Sequence, residues 1–342
     1  MKKFAILIAV IAIVSCKNEP KDFVSFSGKI TDKNSDSIVI KKGDYSKTIA
    51  VNEDGSFSDT LKVVANTYSL FDGTEYANVY LKNGFDIYMT LDTKMFDQSI
   101  QFSGTGSEHS NFLAEKLRVN EELFDLDEMI DLDSVQLQAR FASIRNEMKN
   151  FYDSHPNVDT SITNDGAESI ERTIGAYNSY ISRIHEVKKQ LPQGMISPDF
   201  KDYENFNGET TSLSDLKGKY VYIDIWATWC GPCKVEIPYL KELEKKYSDK
   251  NIAFVSISVD DPKRNGSWEK AHENWRNMVE EDELKGIQLF SPQGFESQFI
   301  KDYVSIGIPR FVLIDPEGKI VSAAAPRPSS KELIKLFDQE NI

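Results

Sequence analysis

The chain has 342 residues, with 54 acidic against 40 basic side chains, a formal net charge of −14 and three cysteines. That length accommodates two or three domains. No basic cluster interrupts the acidic balance, so nucleic acid is excluded as an expected partner, and the acidity reads as a solvated surface.

Met1-Lys2-Lys3 is a short positive segment, followed by an unbroken apolar run from Phe4 to Val14. At roughly eleven residues, that run has the length of a signal-peptide core and is too short to span a bilayer. Cys16 follows at once, in Ile13-Val14-Ser15-Cys16. This tetrapeptide resembles the lipobox of bacterial lipoproteins. The resemblance implies cleavage before Cys16, lipidation of its thiol and attachment to a membrane through acyl chains. One acyl chain binds only marginally, so a stable anchor needs more than one. The alternatives are an ordinary signal peptide with a stray cysteine and a retained transmembrane anchor. The expected location is the cell envelope, facing the periplasm. Lys17 after Cys16 favours the outer membrane by analogy, although inner and outer are not resolved. Such a compartment favours disulfides.

The expected organisation is a signal peptide over 1–15, a tether over 16–22, a β domain over 23–106, a helical region over 107–192 and an α/β domain over 193–342. In the β domain, short runs rich in β-branched and aromatic residues cover Phe23–Ile30, Ser37–Ile40, Tyr68–Phe71, Asn78–Leu81 and Ile87–Leu91. Turn signals such as Lys42-Gly43-Asp44, Asp54-Gly55 and Asn83-Gly84 separate them. This pattern predicts an all-β sandwich or barrel. From Ser107 the apolar spacing becomes helical, through Phe112, Leu113, Leu117 and Leu123, then Leu137, Phe141, Ile144 and Met148. A third helix is predicted over Gly166 to Lys189, after a loop from Ser154. Leu191-Pro192-Gln193-Gly194 breaks the helical pattern. Beyond it strands and helices alternate: strand Tyr220–Trp226, helix Pro232–Tyr247, strand Ile252–Val259, helix Trp268–Met278, a short helix at Phe295–Tyr303, strands Phe311–Ile314 and Lys319–Ala323, and a last helix Ser329–Gln339. That is an α/β domain, a central sheet with covering helices.

The chemistry sits at Trp229-Cys230-Gly231-Pro232-Cys233, immediately after the apolar strand. Two cysteines two residues apart on a βα turn read as a redox dithiol. A thiol attacks a disulfide only as thiolate. At a helix N-terminus the unpaired N–H groups and the macrodipole favour that negative sulfur. Pro232 suits the first turn, where its missing N–H costs nothing. Cys230 is therefore the expected attacking cysteine. Cys233, one turn in and expected to be less exposed, resolves the mixed disulfide. Cys233 needs a proton acceptor. Asp224 interrupts the apolar strand, where burial would raise its pKa. The alternative is an aspartate on the exposed face of an edge strand. Glu236 is a second candidate, with a solvated helix-surface acid as its alternative. Zinc would need a second pair of ligands. No further cysteine is spare, and His109, His155, His185 and His272 are scattered, so neither metal nor cofactor is expected. A purely structural disulfide remains open, though so short a loop constrains little unfolded-state entropy.

Residues from Ile196 onward resemble the thioredoxin-like fold, and within it the TlpA/ResA-type membrane-tethered thiol–disulfide oxidoreductases. Pro198-Asp199-Phe200, Leu213 to Lys219, Trp226-Ala227-Thr228-Trp229-Cys230-Gly231-Pro232-Cys233, Glu236-Ile237-Pro238, Gly307-Ile308-Pro309 and Asp315-Pro316-Glu317-Gly318 carry the resemblance. It implies a cis Ile308–Pro309 peptide beside the dithiol, whose backbone pairs with a substrate segment as an added strand. It also implies Trp229, Gly231 and Pro232 as substrate-contacting surface. A trans proline and a core-packed Trp229 are the plainer readings of the residues alone. Trp268 and Trp275 read as packing. The chain departs from the group's pattern at Asp224, where Asn is common, at Ser256, where thioredoxin has lysine, and at Arg310, which could tune partner choice. The N-terminal β segment is similar to a domain of unknown function found ahead of such modules in lipoproteins.

The expected function is a lipid-anchored thiol–disulfide oxidoreductase outside the cytoplasm, acting on protein disulfides. The Gly-Pro dipeptide points to reduction by analogy with thioredoxin, near −270 mV, against about −120 mV for the oxidant DsbA. Reduction there requires a membrane thiol electron donor. Cysteine pairs of cytochrome c precursors or misoxidised proteins are a substrate class. The competing readings are a disulfide oxidase and a binding or assembly lipoprotein that uses the module as a scaffold. A peroxiredoxin is disfavoured because the threonine-proline context before Cys230 is missing.

Overall fold

The computed structural model describes residues 21–303 and 307–342. The signal segment 1–15, Cys16 and most of the tether lie outside the described residues. By internal contacts the chain divides into two compact units. One takes the described residues up to Phe124 together with Ser143–Ile170, and the other takes Asp125–Ala142 with Glu171–Ile342. The helical stretch read as 107–192 is thus shared between them.

The first unit contains β1 (Val24–Thr31), β2 (Ser37–Lys42), β3 (Tyr45–Ala50), β4 (Ser56–Leu61), β5 (Asn66–Phe71), β6 (Tyr76–Leu81), β7 (Asp86–Asp92) and β8 (Gln101–Thr105). They form two four-stranded sheets, ordered β4-β1-β7-β8 and β3-β2-β5-β6. Alternate residues of β1 point inward, so Val24, Phe26 and Ile30 are buried while their neighbours are half-exposed. The inward faces of both sheets share one core, in which Phe26 and Met89 of one sheet meet Ile38, Leu70 and Val79 of the other. Of the two predicted architectures this is the sandwich. Gly55 enters β4 at φ 82°, and a Cβ there would collide with the Ile30 carbonyl oxygen. Only glycine fits that approach.

The intervening helices are α1 (Phe96–Ser99), α2 (Ser107–Leu123), α3 (Leu126–Met129), α4 (Ser134–Asp153), α5 (Thr160–Thr163) and α6 (Gly166–Gln190). Helix α5 falls in the stretch read as a loop. Phe112 of α2 is fully buried against Tyr80, Val158 and Ile162.

The second unit continues with β9 (Tyr203–Asn205), β10 (Thr210–Thr211), β11 (Tyr220–Trp226), α7 (Gly231–Lys246), β12 (Ile252–Ser258), α8 (Pro262–Asn265), α9 (Trp268–Glu281), β13 (Ile287–Phe290), α10 (Gln298–Tyr303), β14 (Arg310–Ile314), β15 (Ile320–Ser322) and α11 (Lys331–Gln339). Its seven-stranded sheet runs β10-β9-β13-β12-β11-β14-β15. Strands β11, β12 and β13 are parallel, while β14 and β15 pair antiparallel. Both faces of β11 are covered, and every residue after Tyr220 is buried. Val221, Ile223 and Ile225 point into a core that includes Ile184 and Val187 from the end of α6 and Leu191 just beyond it. Each such side chain contributes about 1.5–3 kcal/mol on burial. The C-terminal part of α6 therefore belongs to the α/β core. Trp275 packs fully inside, but Trp268 is 41% exposed, correcting its reading as a packing residue. It is the first residue of α9, and the helix turns it to solvent.

Candidate active site

Strand β11 ends at Trp226, and the chain turns through Ala227-Thr228-Trp229 to Cys230, which caps α7. Cys230 has extended backbone, and its Sγ accepts a hydrogen bond from the Cys233 N–H at 3.2 Å. The two cysteines form a disulfide with their Cα atoms 5.3 Å apart. Both are only 4% exposed, so the expected difference in exposure is not found in this oxidised form. The distinction lies in position: Cys230 is at the helix N-terminus and Cys233 is inside the first turn. Gly231 and Pro232 are exposed beside them.

Trp229 is 37% exposed, with the Arg264 guanidinium 4.9 Å from its ring centroid and Phe295 at 6.3 Å. It is surface and not core. The turn beneath it is pinned by a residue that the sequence reading passed over. Asp260 is fully buried and accepts from Thr228 N–H at 2.9 Å, the Thr228 hydroxyl at 2.7 Å, the Ser258 hydroxyl at 2.7 Å and Asn265 Nδ2 at 3.1 Å. A carboxylate so fully bonded holds its partners rigidly. In sequence it was one of two aspartates after a strand, and the other, Asp261, caps α8.

Asp224 lies at the centre of the sheet, paired in register with Ser256 on β12 and Phe311 on β14. It is buried on a central strand, which rules out the exposed edge-strand alternative. Burial, then the nearby charges of Glu236 and Glu244, pushes its pKa up to about 8. Glu236 is also buried, against the solvated-surface alternative. Its Oε2 accepts from Ser329 N–H and its Oε1 from the Ser329 hydroxyl, both at 2.9 Å, and Arg327 Nε is 4.0 Å away. Glu244 was not anticipated. Burial pushes it up to about 7, with Lys241 and Lys285 pulling the other way. Its signal was present but faint: Cys233, Ile237, Leu240 and Glu244 recur at the spacing of one helical face.

Ile308–Pro309 is a cis peptide. Together with Pro232 it lines a cleft of about 470 Å³, whose other wall includes Leu126, Ile130, Tyr180 and Ile184. Residues of the helical stretch therefore border the cleft beside Pro232 and Pro309, a place the sequence did not assign them. Arg310 is buried, and its Nε donates to the Tyr303 carbonyl at 3.0 Å while Nη2 donates to the Ala323 carbonyl. Desolvation lowers its pKa to about 10. It braces backbone from inside, at a position that also lines the cleft. Among the described residues no group of three or more His, Cys, Asp or Glu is arranged to hold a metal ion.

A redoxin family model matches residues 192–333. The thiol-disulfide oxidoreductase ResA of Bacillus cereus (strain ATCC 10987 / NRS 248) is 28% identical over 159 residues, 46% of this chain and 81% of that protein. ResA of Bacillus subtilis (strain 168) is 31% identical over 134 residues, 39% of this chain and 68% of that protein. The chain belongs to the ResA-type thiol–disulfide oxidoreductases of the redoxin family. This ResA-type enzyme is also similar to the crystallised thioredoxin domain of a thiol-disulfide oxidoreductase from Bacteroides vulgatus. The identity is 29%, with 44% of this chain and 98% of that one covered and a TM-score of 0.38. Its α/β unit has the thioredoxin-like fold, and it is an enzyme of thiol–disulfide exchange.

Proposed function

We propose that the protein reduces protein disulfides through Cys230 and Cys233 while held to an envelope membrane by a lipid on Cys16. The observation that carries the chemistry is the Cys230–Cys233 bond at the N-terminus of α7, on the helix packed over the buried Asp224. The Cys230 thiolate attacks one sulfur of a substrate disulfide. A bond forms between Cys230 and that sulfur, and the other substrate sulfur leaves as a thiolate that takes a proton from water. Cys233 then gives its proton to Asp224 and attacks Cys230 Sγ. The mixed bond breaks, the second substrate thiolate leaves, and the Cys230–Cys233 bond forms. The substrate gains two electrons and the pair loses two, which a membrane thiol donor restores.

Glu236 supports this step by adding negative charge near Asp224, which keeps Asp224 a competent base near neutral pH. Trp229, Gly231 and Pro232 form the exposed rim, and the backbone at Ile308–Pro309 offers pairing to an extended substrate segment in the cleft. Disulfides outside the cytoplasm, including the cysteine pairs of cytochrome c precursors, are the substrate class. Among the described residues no helix is long and apolar enough to cross a membrane. The proposed anchor rests on the lipobox resemblance at Cys16, and the outer membrane is the proposed site. The division into signal, tether, β domain, helical region and redox domain stands as proposed from the sequence.

Insulin reduction tests the reading. Wild type should be active and C230S inactive, whereas equal rates would leave only a scaffold. A midpoint potential near about −120 mV would convert the reductase into an oxidase. In cells, C233A should accumulate mixed disulfides with its substrates, and radiolabelled palmitate should label the wild type but not C16A.

A further inference from the structure

Among the described residues six buried side-chain polar atoms have no hydrogen-bonding partner. Four of them, Asp224 Oδ1, Trp226 Nε1, Glu244 Oε2 and Gln288 Oε1, belong to residues lining one cavity. Strand β11 supplies Asp224 and Trp226, β13 supplies Gln288, and α7 supplies Glu244. The space is about 10 Å³, near the minimum that one water needs. An unpaired buried polar atom costs about 1–3 kcal/mol. Four around one small void point to a shared partner.

Hydrogen-bond arithmetic defines that partner. Trp226 Nε1 only donates, ionised carboxylates only accept, and water gives two protons and accepts two. With both carboxylates ionised, a central water faces three acceptors with two protons to give. With one carboxyl protonated, that carboxyl and Trp226 donate to the water. The water then donates to the other carboxylate and to Gln288. Every group is satisfied only when the pair holds one proton.

The same cavity touches the redox path. Cys233, Ile237, Leu240 and Glu244 share a face of α7, and Ile237 and Leu240 line the cavity with Asp224. Cys233 and Glu244 are roughly 16 Å apart along the helix axis. Glu244 is half-buried, so it meets both the cavity and solvent. The ionisable groups around the pair are Lys241 on α7, Lys285 before β13, Glu236 on α7 and Tyr222 on β11.

We propose that Asp224 and Glu244 share one proton through a water in this cavity, and that Glu244 passes the proton released by Cys233 to solvent. This rests on the reading of Asp224 as the acceptor for Cys233. As resolution begins, the shared proton crosses the water from Asp224 to Glu244, leaving Asp224 as a carboxylate. Asp224 takes the Cys233 proton, Glu244 releases its own beside Lys241 and Lys285, and the pair again holds one. Glu244 never meets a sulfur and is a positioning residue for the proton.

The test is the resolving step of the full chain, followed by tryptophan fluorescence across pH in single-turnover oxidation by a disulfide peptide. Wild type should show two ionisations. E244Q should show one and be slower by about tenfold near pH 7, below the 10²–10⁴ expected for losing a direct proton acceptor. E244D should restore the second ionisation. An E244Q profile superimposable on wild type, or an E244D profile identical to E244Q, overturns the relay. D224N resolving at the wild-type rate would instead sink the acceptor reading itself. Infrared spectra of the oxidised protein near pH 7 add an independent readout. One carboxylic acid band should be present in wild type and shifted in frequency in both D224N and E244Q, and a band unchanged in E244Q would count against the shared proton.

Discussion

Strand β1 of the sandwich and strand β11 of the redox unit are both interior strands, flanked by β4 and β7 in one case and by β12 and β14 in the other. β1 follows the simple rule of a sheet with one buried face, apolar inward and half-exposed outward. β11 is buried on both faces, yet it carries an aspartate at its centre. The face of β1 is explained by stability alone. The Asp224 side of β11 is not, because a buried carboxylate with an unpaired oxygen opposes folding. A polar residue held where an apolar one would stabilise fits the role proposed for Asp224 in the exchange step.

The largest effect that sharpens this contrast is C230S, which should lower insulin reduction by about 10³-fold or more while leaving the sandwich transition in calorimetry unmoved. Next is F26A in β1, a large-to-small change that should destabilise the first unit by about 3–5 kcal/mol. Its reduction rate at temperatures below that unfolding should match wild type. A loss of rate would break the division of labour.

D224N probes the other side. The folded pKa of Asp224 is raised to about 8 from an ordinary 3.8. The native state therefore binds more protons than the unfolded chain between those values, and stability falls as pH rises through that window. Removing the charge should stabilise the protein by about 2–4 kcal/mol at pH 8, with the gain vanishing near pH 4. Denaturant melts at the two pH values measure it, and an equal gain at both would mean the penalty is not ionic. The smallest effect is W229A on the exposed rim. Loss of about 1 kcal/mol of contact should raise KM for a protein disulfide roughly fivefold, with little change in kcat.

Much of the site was legible because its signals are local. A Cys-Gly-Pro-Cys run after an apolar strand needs only chain neighbours to place a sulfur on a helix N-terminus. Strands β3 and β4 were not legible, because Tyr45–Ala50 and Ser56–Leu61 carry mostly polar outward residues and few buried positions. Asp260 and Glu244 were missed for a related reason. Acidic residues on a helix or after a strand usually face water, and only their tertiary neighbours make these two different.

By itself the sequence determined the cysteine pair, its place at a helix terminus, the α/β order of the C-terminal region and the β character of the N-terminal one. These follow from short-range periodicity and backbone chemistry. Only the tertiary structure decided that Asp224 and Glu236 are buried with the half-buried Glu244 near them, that Asp260 pins the turn before Cys230, and that α3 and α6 supply a wall of the cleft. Burial and charge proximity depend on residues brought together from distant parts of the chain, and no local pattern in a single sequence encodes those distances.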